Sequence, residues 1–406
     1  MSHAQSVDIV STRFHADPST VLEKIRGYGS PIVRIKLPII GAIALCATHE
    51  TCATLLKDHE SFVRDPANAG RYNQARILKI LPRTISLLAL NMLGHDDPEH
   101  RRLRGLVDKA FQRRSIATLE PIIRDVTDRL LDGLRGTGQV DLMETFCRDL
   151  PLTVICVMLG PPDQDHARFK HWLGGLKDTA NIWAVIAAIP GVIKVVRYLR
   201  NVSRPGGGAK PDGLIAALRD VEIDGRCLSE DELVSMIFLL FGAGQETTTH
   251  LISGGLLELL RHKDQRRRLQ DDMSLMPLCV EECLRHVSPV QLTKPRWAVR
   301  DTELGGHFLK RGQIVAAFLS AANRDPAKFA DPHRFDISRR PNPHLSFGTG
   351  VHFCLGLQLA RAEAAVAFER ILTRFPNIEL AIDSSQMVWR KRVGIRTVSS
   401  LPVLLQ

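Results

Sequence analysis

A long helical pattern between Ser229 and His262 most constrains how this chain can fold. It opens with Ser229 and has Glu232 three residues later, the pairing of a helix capping box. From Val234 to Phe241 the pattern is apolar nearly all round, which is typical of a helix buried at the centre of a large fold. With 406 residues, 44% of them hydrophobic, the chain is large enough to surround such a helix.

The rest of the chain predicts a mainly α protein with a minor β portion. Amphipathic helical patterns begin at Glu99, and β-branched residues between Gly29 and Glu50 predict a β-hairpin. Asp224 and Gly225 stand between two short β-prone runs, which indicates a tight turn. The flexible stretch 205–213 lies between helical patterns and is interpreted as a surface loop. We therefore expect one domain over residues 1–406.

Composition and charge narrow the classes of function. The sequence has no secretory h-region and no apolar run of the roughly 18 residues that a membrane span needs. We therefore expect a cytoplasmic monomer with no membrane span and with reduced cysteines. The net charge is +10, but the basic residues are scattered and only 5% of residues are aromatic. This pattern argues against nucleic-acid binding and favours an acidic protein partner.

The apolar face of the long helix is interrupted by GAGQETTT, at 242–249. Glycines weaken a helix interior, and threonines with a glutamate are unusual in a buried setting. One interpretation is close helix packing through small residues, with a satisfied polar cluster. The other is a ligand against the glycines, with Glu246 and Thr247 placed to move protons. Because local sequence rules are most often broken at functional sites, we favour the second.

Cys354 lies in an unusual loop, FGTGVHFCLG, at 347–356. A Cys–His nucleophile is disfavoured because His352 is only two residues away, and an iron–sulfur cluster needs further thiolates. A single thiolate can serve as the axial ligand of haem iron. The helix that follows favours a thiolate, and the glycines let the loop lie against a flat ring. A buried inert cysteine would not need this glycine pattern.

These motifs resemble the cytochrome P-450 family. The loop matches its haem-binding signature FGxGxHxCxG at every fixed position. Five other segments are similar to further family motifs, in the family's order: DDPEHRRLR at 96–104, AGQETT at 243–248, EECLR at 281–285, NRDP at 323–326 and DPHRFDISR at 331–339. The resemblance covers nearly the whole chain. It implies the soluble bacterial type and the P-450 fold, a triangular α-rich single domain with a long central helix.

The resemblance implies a cofactor, haem b, and dioxygen as co-substrate. Cys354 matches the axial ligand of the iron. The other cofactor contacts implied are His100, Arg104, Ala243, Gly244, Arg296, Phe347, Gly348, His352 and Gly356. Among them, His100, Arg104, Arg296 and His352 match positions that bind the haem propionates. Ala243 and Gly244 would leave room for dioxygen, while Glu246 and Thr247 match the acid–alcohol pair that delivers protons to it.

A buried structural triad is also implied by the resemblance. Glu282 and Arg285, which by themselves would suggest only a surface ion pair, match two of its members. The third is either Arg334 or Arg339, and the sequence does not decide between them.

By resemblance, the reaction is a monooxygenation of an apolar small molecule of the terpenoid, steroid, fatty-acyl or polyketide type. The alternatives are a peroxide-driven peroxygenase and a non-catalytic haem-binding ligand sensor, neither of which would need the acid–alcohol pair. Expected pocket residues are Ile85, Leu88, Leu239, Val290 and Leu292, although about half of such residues would simply pack the core. Their aliphatic character predicts the apolar substrate.

Electrons are expected from a separate ferredoxin and ferredoxin reductase, because no flavin or nicotinamide module follows the haem region. An acidic ferredoxin would dock near a group of cations around the HxxxR-like helix: Arg101, Arg102, Lys109, Arg113 and Arg114. A solvated basic face is the competing interpretation of the same residues.

Overall fold

The computed structural model describes residues 7–37, 41–72, 86–112, 116–165, 168, 172 and 182–405. Within these residues α-helices dominate, as the periodicity predicts. Their bounds are Thr12–Ala16 (α1), Pro18–Gly27 (α2), His49–Lys57 (α3), Glu99–Gln112 (α4), Ile116–Asp132 (α5), Asp149–Leu159 (α6), Ile182–Ser203 (α7), Leu214–Arg219 (α8), Glu230–Arg261 (α9), Lys263–Asp271 (α10), Met276–Val287 (α11), Leu319–Ala322 (α12) and Leu357–Arg374 (α13).

The β portion is small, as expected. Its strands are Ile32–Leu37 (β1), Gly41–Cys46 (β2), Phe62–Val63 (β3), Gln139–Asp141 (β4), Arg296–Ala298 (β5), Thr302–Leu304 (β6), His307–Leu309 (β7), Ile314–Ala317 (β8), Glu379–Leu380 (β9) and Pro402–Leu404 (β10). A five-stranded sheet has the order β1-β2-β8-β5-β3, a three-stranded sheet the order β4-β10-β9, and β6 pairs with β7. The predicted hairpin is confirmed, with β1 antiparallel to β2.

The central helix α9 confirms the long helical pattern predicted between Ser229 and His262. The Ser229 hydroxyl accepts a hydrogen bond from the Glu232 N–H, and the Glu232 carboxylate accepts one from the Ser229 N–H, so the capping box is complete. The 32-residue helix continues through GAGQETTT without interruption. At about 1.5 Å per residue it is roughly 48 Å long. It packs against α6, α7, α11 and α13, which bury most of its circumference.

Three glycines of α9 allow close packing of helices, and one of them, Gly244, is also predicted to lie beside the cofactor. A Cβ on Gly254 would lie 2.4 Å from Val287, and one on Gly255 would lie 2.4 Å from Phe368. A Cβ on Gly244 would lie 3.0 Å from Ile155 of α6. The helices can therefore approach closely only because these side chains are absent.

Other local predictions hold. Asp224 and Gly225 both have positive φ, 50° and 72°, and Ile223 pairs with Arg226 across them, which confirms the tight turn. Residues 205–213 form turns and bends between α7 and α8. In the described part of the chain, no helix is both long enough and apolar enough to cross a membrane. That the chain forms a single domain stays a prediction.

Candidate active site

The loop that carries Cys354 depends on two left-handed glycines. Gly348 has φ +68° and Gly350 has φ +77°, a region that other residues rarely adopt. At Gly350 a Cβ would also lie 2.4 Å from the carbonyl oxygen of Leu56, at the end of α3. The Cys354 N–H donates to the Phe347 carbonyl at 3.0 Å, which closes the loop. These glycines thus let the loop fold tightly against α3.

Cys354 lies just before α13, whose N-cap is Gly356. Burial raises the pKa of the Cys354 thiol, while a hydrogen bond from the Gly356 N–H and the charges of Arg104 and Arg361 lower it. The Arg361 guanidinium also lies over the Phe347 ring, 4.7 Å from its centroid. The Gly356 N–H and the two arginines therefore offset part of the free-energy cost of a buried thiolate, as the sequence predicts for this position.

A group of cationic and imidazole side chains gathers beside this loop. The rings of His100 and His352 lie 4.2 Å apart, centroid to centroid. Arg104 donates from Nη1 to the Phe353 carbonyl at 2.9 Å. Burial, together with Arg64, His100, Arg296 and Arg104, lowers the pKa of His352 to about 2. The structure thus brings together all four residues predicted to bind propionates.

Arg64 belongs to the same group and is absent from the sequence prediction. Val63 pairs with Trp297 in the antiparallel ladder of β3 and β5, so the next residue, Arg64, lies beside Arg296. Burial and the charge of Arg296 lower the pKa of Arg64 to about 9. Only the pairing of these two distant strands could have identified Arg64. We call Arg64, His100, Arg104, Arg296 and His352 the cationic cluster.

The cationic cluster holds buried nitrogen atoms that lack hydrogen-bond partners among the described residues. They are Nε of Arg64, Nε of Arg296, Nε2 of His100 and Nδ1 of His352. Leaving such atoms unpaired in a protein interior costs free energy, and carboxylates are their natural partners. The cluster therefore fits a cofactor that brings carboxylates, as the two haem propionates would do.

A second group lies on α9. Leu239, Ala243, Glu246 and Thr247 are partly or fully accessible, whereas most of the helix is buried. Leu239, Ala243 and Thr247 are four residues apart and Glu246 is three residues after Ala243, so the four lie on one broad side of the helix. The Thr247 hydroxyl donates to the Ala243 carbonyl at 2.7 Å, which leaves its oxygen able to accept another hydrogen bond. We call these four residues the accessible stripe.

Glu246 is paired in a way that the sequence does not predict. The Arg392 guanidinium, from the C-terminal part of the chain, donates from Nη1 to Glu246 Oε1. Nε2 of the buried His250, one turn further along α9, lies 3.9 Å from the same oxygen. Burial alone would raise the pKa of Glu246, but His250 and Arg392 outweigh it and bring the pKa to about 2. The carboxyl group is therefore ionised at neutral pH.

Glu282 and Arg285 are fully buried, so the surface ion pair that EECLR alone suggests is wrong. Both Nε and Nη2 of Arg285 donate to the Glu282 carboxylate at 2.7 Å. Arg339 lies with its Nε 3.2 Å from Glu282 Oε2. The side chain of Arg334 is exposed, and its carbonyl accepts from Arg285 and Arg339 instead. Of the two candidates for the third member, Arg339 is therefore the one whose side chain contacts Glu282.

The predicted docking cations differ in how they are engaged. The side chain of Arg101 is 80% exposed and pairs with Asp97. Arg102 is held between Glu99 and Glu232, so its charge is already neutralised. Lys109 donates to the carbonyl of Glu222 at 2.8 Å. Arg113 and Arg114 lie outside the described residues.

The predicted pocket residues are partly buried, which suits contact with either a ligand or the core. Leu88, in a short 3-10 turn that packs on α9, contacts the main hydrophobic core, as does Leu239. Val290 and Leu292 each pack against one of two smaller apolar clusters. Ile85 lies outside the described residues. The described pocket residues thus stay candidates for substrate contact.

Comparison with known proteins decides the family. Residues 207–391 match the family model described as Cytochrome P450. A Bacillus subtilis protein named polyketide biosynthesis cytochrome P450 PksS is 38% identical over 398 residues, covering 97% of this chain and 96% of the relative. The chain belongs to the cytochrome P450 family. Cytochrome P450 monooxygenase PikC of Streptomyces venezuelae is 35% identical and covers 96% of this chain and 91% of the relative.

Solved structures agree with this assignment. The myxobacterial cytochrome P450 CYP267B1, crystallised with myristic acid, superposes with a TM-score of 0.91 at 38% identity, covering 99% of this chain and all of that one. The chain therefore has the P450 fold predicted from its sequence, and it is a bacterial P450 monooxygenase that binds haem b and uses dioxygen. When bound, thiolate-ligated haem activates dioxygen so that one oxygen atom can enter a substrate.

Proposed function

We propose that this P450 hydroxylates an elongated apolar substrate of the fatty-acyl or polyketide class, with Cys354 as axial ligand and the cationic cluster holding the propionates. The observation that carries the proposal is the accessible stripe, where aliphatic Leu239 and Ala243 stand beside the protonic groups of Glu246 and Thr247. Two relatives support the substrate class, since one is named for polyketide biosynthesis and another was crystallised with myristic acid.

In this proposal the acid–alcohol pair supplies protons. The Thr247 hydroxyl donates its proton to the Ala243 carbonyl, so its oxygen is able to accept a hydrogen bond. A water that donates this bond is held in place beside Thr247. The Glu246 carboxylate takes up a proton from solvent and then transfers it to that water. After the transfer Glu246 is again ionised. A peroxygenase or a ligand sensor would not need these two groups together on one face of α9.

The relay is tested with Thr247→Ala. Without the hydroxyl, we expect reductant to be consumed without matching product, with the difference released as hydrogen peroxide. Thr247→Ser keeps the hydroxyl and serves as the matched control, so its coupling should stay near that of the parent enzyme. Peroxide yield and product yield are measured per electron pair consumed. Unchanged coupling in Thr247→Ala would show that the relay assignment is wrong.

The substrate class is tested by titration. Ligands that displace axial water shift the Soret band, so the ferric enzyme is titrated with myristic acid, a polyketide macrolactone, a steroid and a cyclic terpene. We expect the two acyl-derived compounds to shift the band at the lowest concentrations. A complete shift by the steroid or the terpene, with none by the acyl compounds, would contradict the proposal.

We also propose that a ferredoxin docks at the side of the Cys354 loop. Arg101 and Arg104 are three residues apart on α4 and share one face, and Arg104 contacts the carbonyl of Phe353. Phe353, the residue before Cys354, is 40% exposed, so an apolar contact lies next to the thiolate, with the Arg104 guanidinium on its carbonyl and the exposed Arg101 head, paired with Asp97, on the same face of α4. Such a surface suits an acidic partner with an apolar centre.

Charge reversal tests this docking surface. Arg101→Glu should raise the ferredoxin KM and reduce its dependence on salt, while substrate binding by Soret titration stays unchanged. Arg129→Glu, on α5, is the control because its side chain is also well exposed, at 66%. Equal effects of the two substitutions would place the docking surface elsewhere.

A further inference from the structure

The position of Glu246 raises a question about how it could deliver protons. Glu246 and Thr247 are adjacent on α9, and adjacent helical residues point about 100° apart. In the structure the Glu246 carboxylate is turned to Arg392, while the Thr247 hydroxyl is bonded to its own helix. A relay between them therefore requires the glutamate side chain to leave the arginine.

Arg392 is itself held firmly from behind. It lies in a hairpin-like segment, 389–398, whose ends pair as Trp389 with Val398. The carbonyl of Arg392 is 3.1 Å from Nε2 of the buried His15. Arg396 in the same segment donates to the His15 carbonyl at 2.8 Å and lies 4.4 Å over the Trp389 ring. The guanidinium is therefore presented to Glu246 from an ordered segment, so its position depends on the position of that segment.

The same segment is bonded to the chain that carries two predicted substrate contacts. The Gly394 carbonyl accepts hydrogen bonds from Gln291 N–H at 2.8 Å and from Leu292 N–H at 3.4 Å. Val290 forms a β-bridge with Ile395. A Cβ on Gly394 would lie 3.1 Å from that of Leu292, so the two backbones are in close contact. A displacement at Leu292 is consequently passed to residues next to Arg392.

We propose that Arg392 is a positioning residue that keeps Glu246 out of the proton relay until substrate occupies the space beside Val290 and Leu292. The inference rests on the proposed role of Glu246. Substrate contact at Leu292 shifts the 389–398 segment, Arg392 withdraws, and the carboxylate becomes free to take up a proton and turn toward Thr247. No covalent bond changes; one proton moves from solvent to the carboxylate and on to the held water.

The charges around Glu246 are consistent with such a latch. The described groups that face it are Arg392 and the buried His250, and Arg390 acts on His250 as well. Burial lowers the pKa of His250, so this imidazole is neutral at neutral pH and does not replace the arginine as a counter-charge. Loss of Arg392 would therefore leave the carboxylate without its cation and ease its protonation.

Infrared titration of the ferric enzyme tests the latch without substrate or turnover. The Glu246 band is assigned by its loss in Glu246→Gln. In Arg392→Met, which keeps a similar stem without the charge, the carboxyl should titrate at a clearly higher pKa than in the parent, even though His250 still lowers it, and in Arg392→Lys the pKa should stay low. The control is Arg204→Met, which removes an exposed ion pair to Glu230 on the same helix. An unmoved band in Arg392→Met would overturn the proposal.

Turnover supplies the second test. With myristic acid as probe, reductant consumption is measured with and without ligand. We expect Arg392→Met to raise the ligand-free rate severalfold and to lose most of the stimulation by ligand, while Arg204→Met behaves as the parent. If Glu246→Gln leaves coupling unchanged, the relay itself is wrong and the latch with it. If Glu246→Gln uncouples but Arg392→Met keeps the parent's stimulation, only the latch is wrong.

Discussion

Replacing Arg339 with methionine should destabilise the protein strongly, because the side chain completes a charge cluster whose other two members, Glu282 and Arg285, are fully buried. Its Nε faces Glu282, and its Nη atoms donate to the carbonyls of Ala330, Asp331 and Arg334. Removing one partner of a buried ion pair typically costs about 3–5 kcal/mol. Because Arg285 still pairs with Glu282, the electrostatic part lies toward the lower end, and the three lost carbonyl hydrogen bonds, which lie near solvent, leave the total within this range.

The expected change in melting temperature follows from chain length. An unfolding entropy of about 2.1 cal/mol/K per residue, over 406 residues, gives roughly 0.85 kcal/mol per degree. A loss of about 3–5 kcal/mol therefore lowers the melting temperature by about 4–6 °C. Thermal unfolding of the haem-loaded enzyme, followed by far-ultraviolet circular dichroism and by the Soret band, measures this shift.

Arg334→Met is the matched control. The side chain of Arg334 is exposed, and the cluster uses only its backbone carbonyl, which the substitution keeps. Its effect should stay within about 0.5 kcal/mol, the usual range for surface changes. If Arg334→Met destabilised the enzyme as much as Arg339→Met, or if Arg339→Met shifted the melting temperature by less than about 1 °C, the placement of Arg339 in the triad would be refuted.

Two further predictions concern the cationic cluster and acid stability. Arg64→Leu should speed the transfer of haem to apomyoglobin, because a buried donor to the carboxylates is lost; an unchanged transfer rate would exclude Arg64 from the cluster's role. Burial alone would raise the pKa of Glu281, but His344 and Arg361 bring it to about 2. Its stabilising effect is thus present above about pH 4.5 and is lost as the pH falls toward 2. The difference in urea midpoint between the parent and Glu281→Gln should accordingly shrink from pH 6 to pH 3, and a constant difference would contradict this.

Features that depend on short stretches of sequence are predicted well. The capping box at Ser229 is local, and so are the turn at Asp224 and Gly225 and the glycine pattern of the Cys354 loop. Each is decided by backbone preferences and hydrogen bonds within a few residues. The order of the motifs then gives the family and with it the helical architecture, which no single motif could provide.

The site contacts that the sequence does not predict join segments that are far apart in the chain. Arg339 and Glu282 are 57 residues apart, and Arg392 and Glu246 are 146 apart. Arg64 reaches the cationic cluster only because β3 pairs with β5. A solvent-exposed arginine and a buried one look the same in a sequence, since burial depends on which segments meet. The choice between Arg334 and Arg339 therefore needs coordinates.

The continuity of α9 has a consequence for how such an enzyme can diversify. Leu239, Ala243 and Thr247 follow one another at steps of about 6 Å along a single rod. The helix begins at its capping box, and near its C-terminal end Arg261 donates to the carbonyl of Ser384 at 3.1 Å. The loops around α9 can vary in sequence and length without altering these intervals. New substrates can thus be acquired by changing the loops, while the oxygen-handling groups keep their spacing.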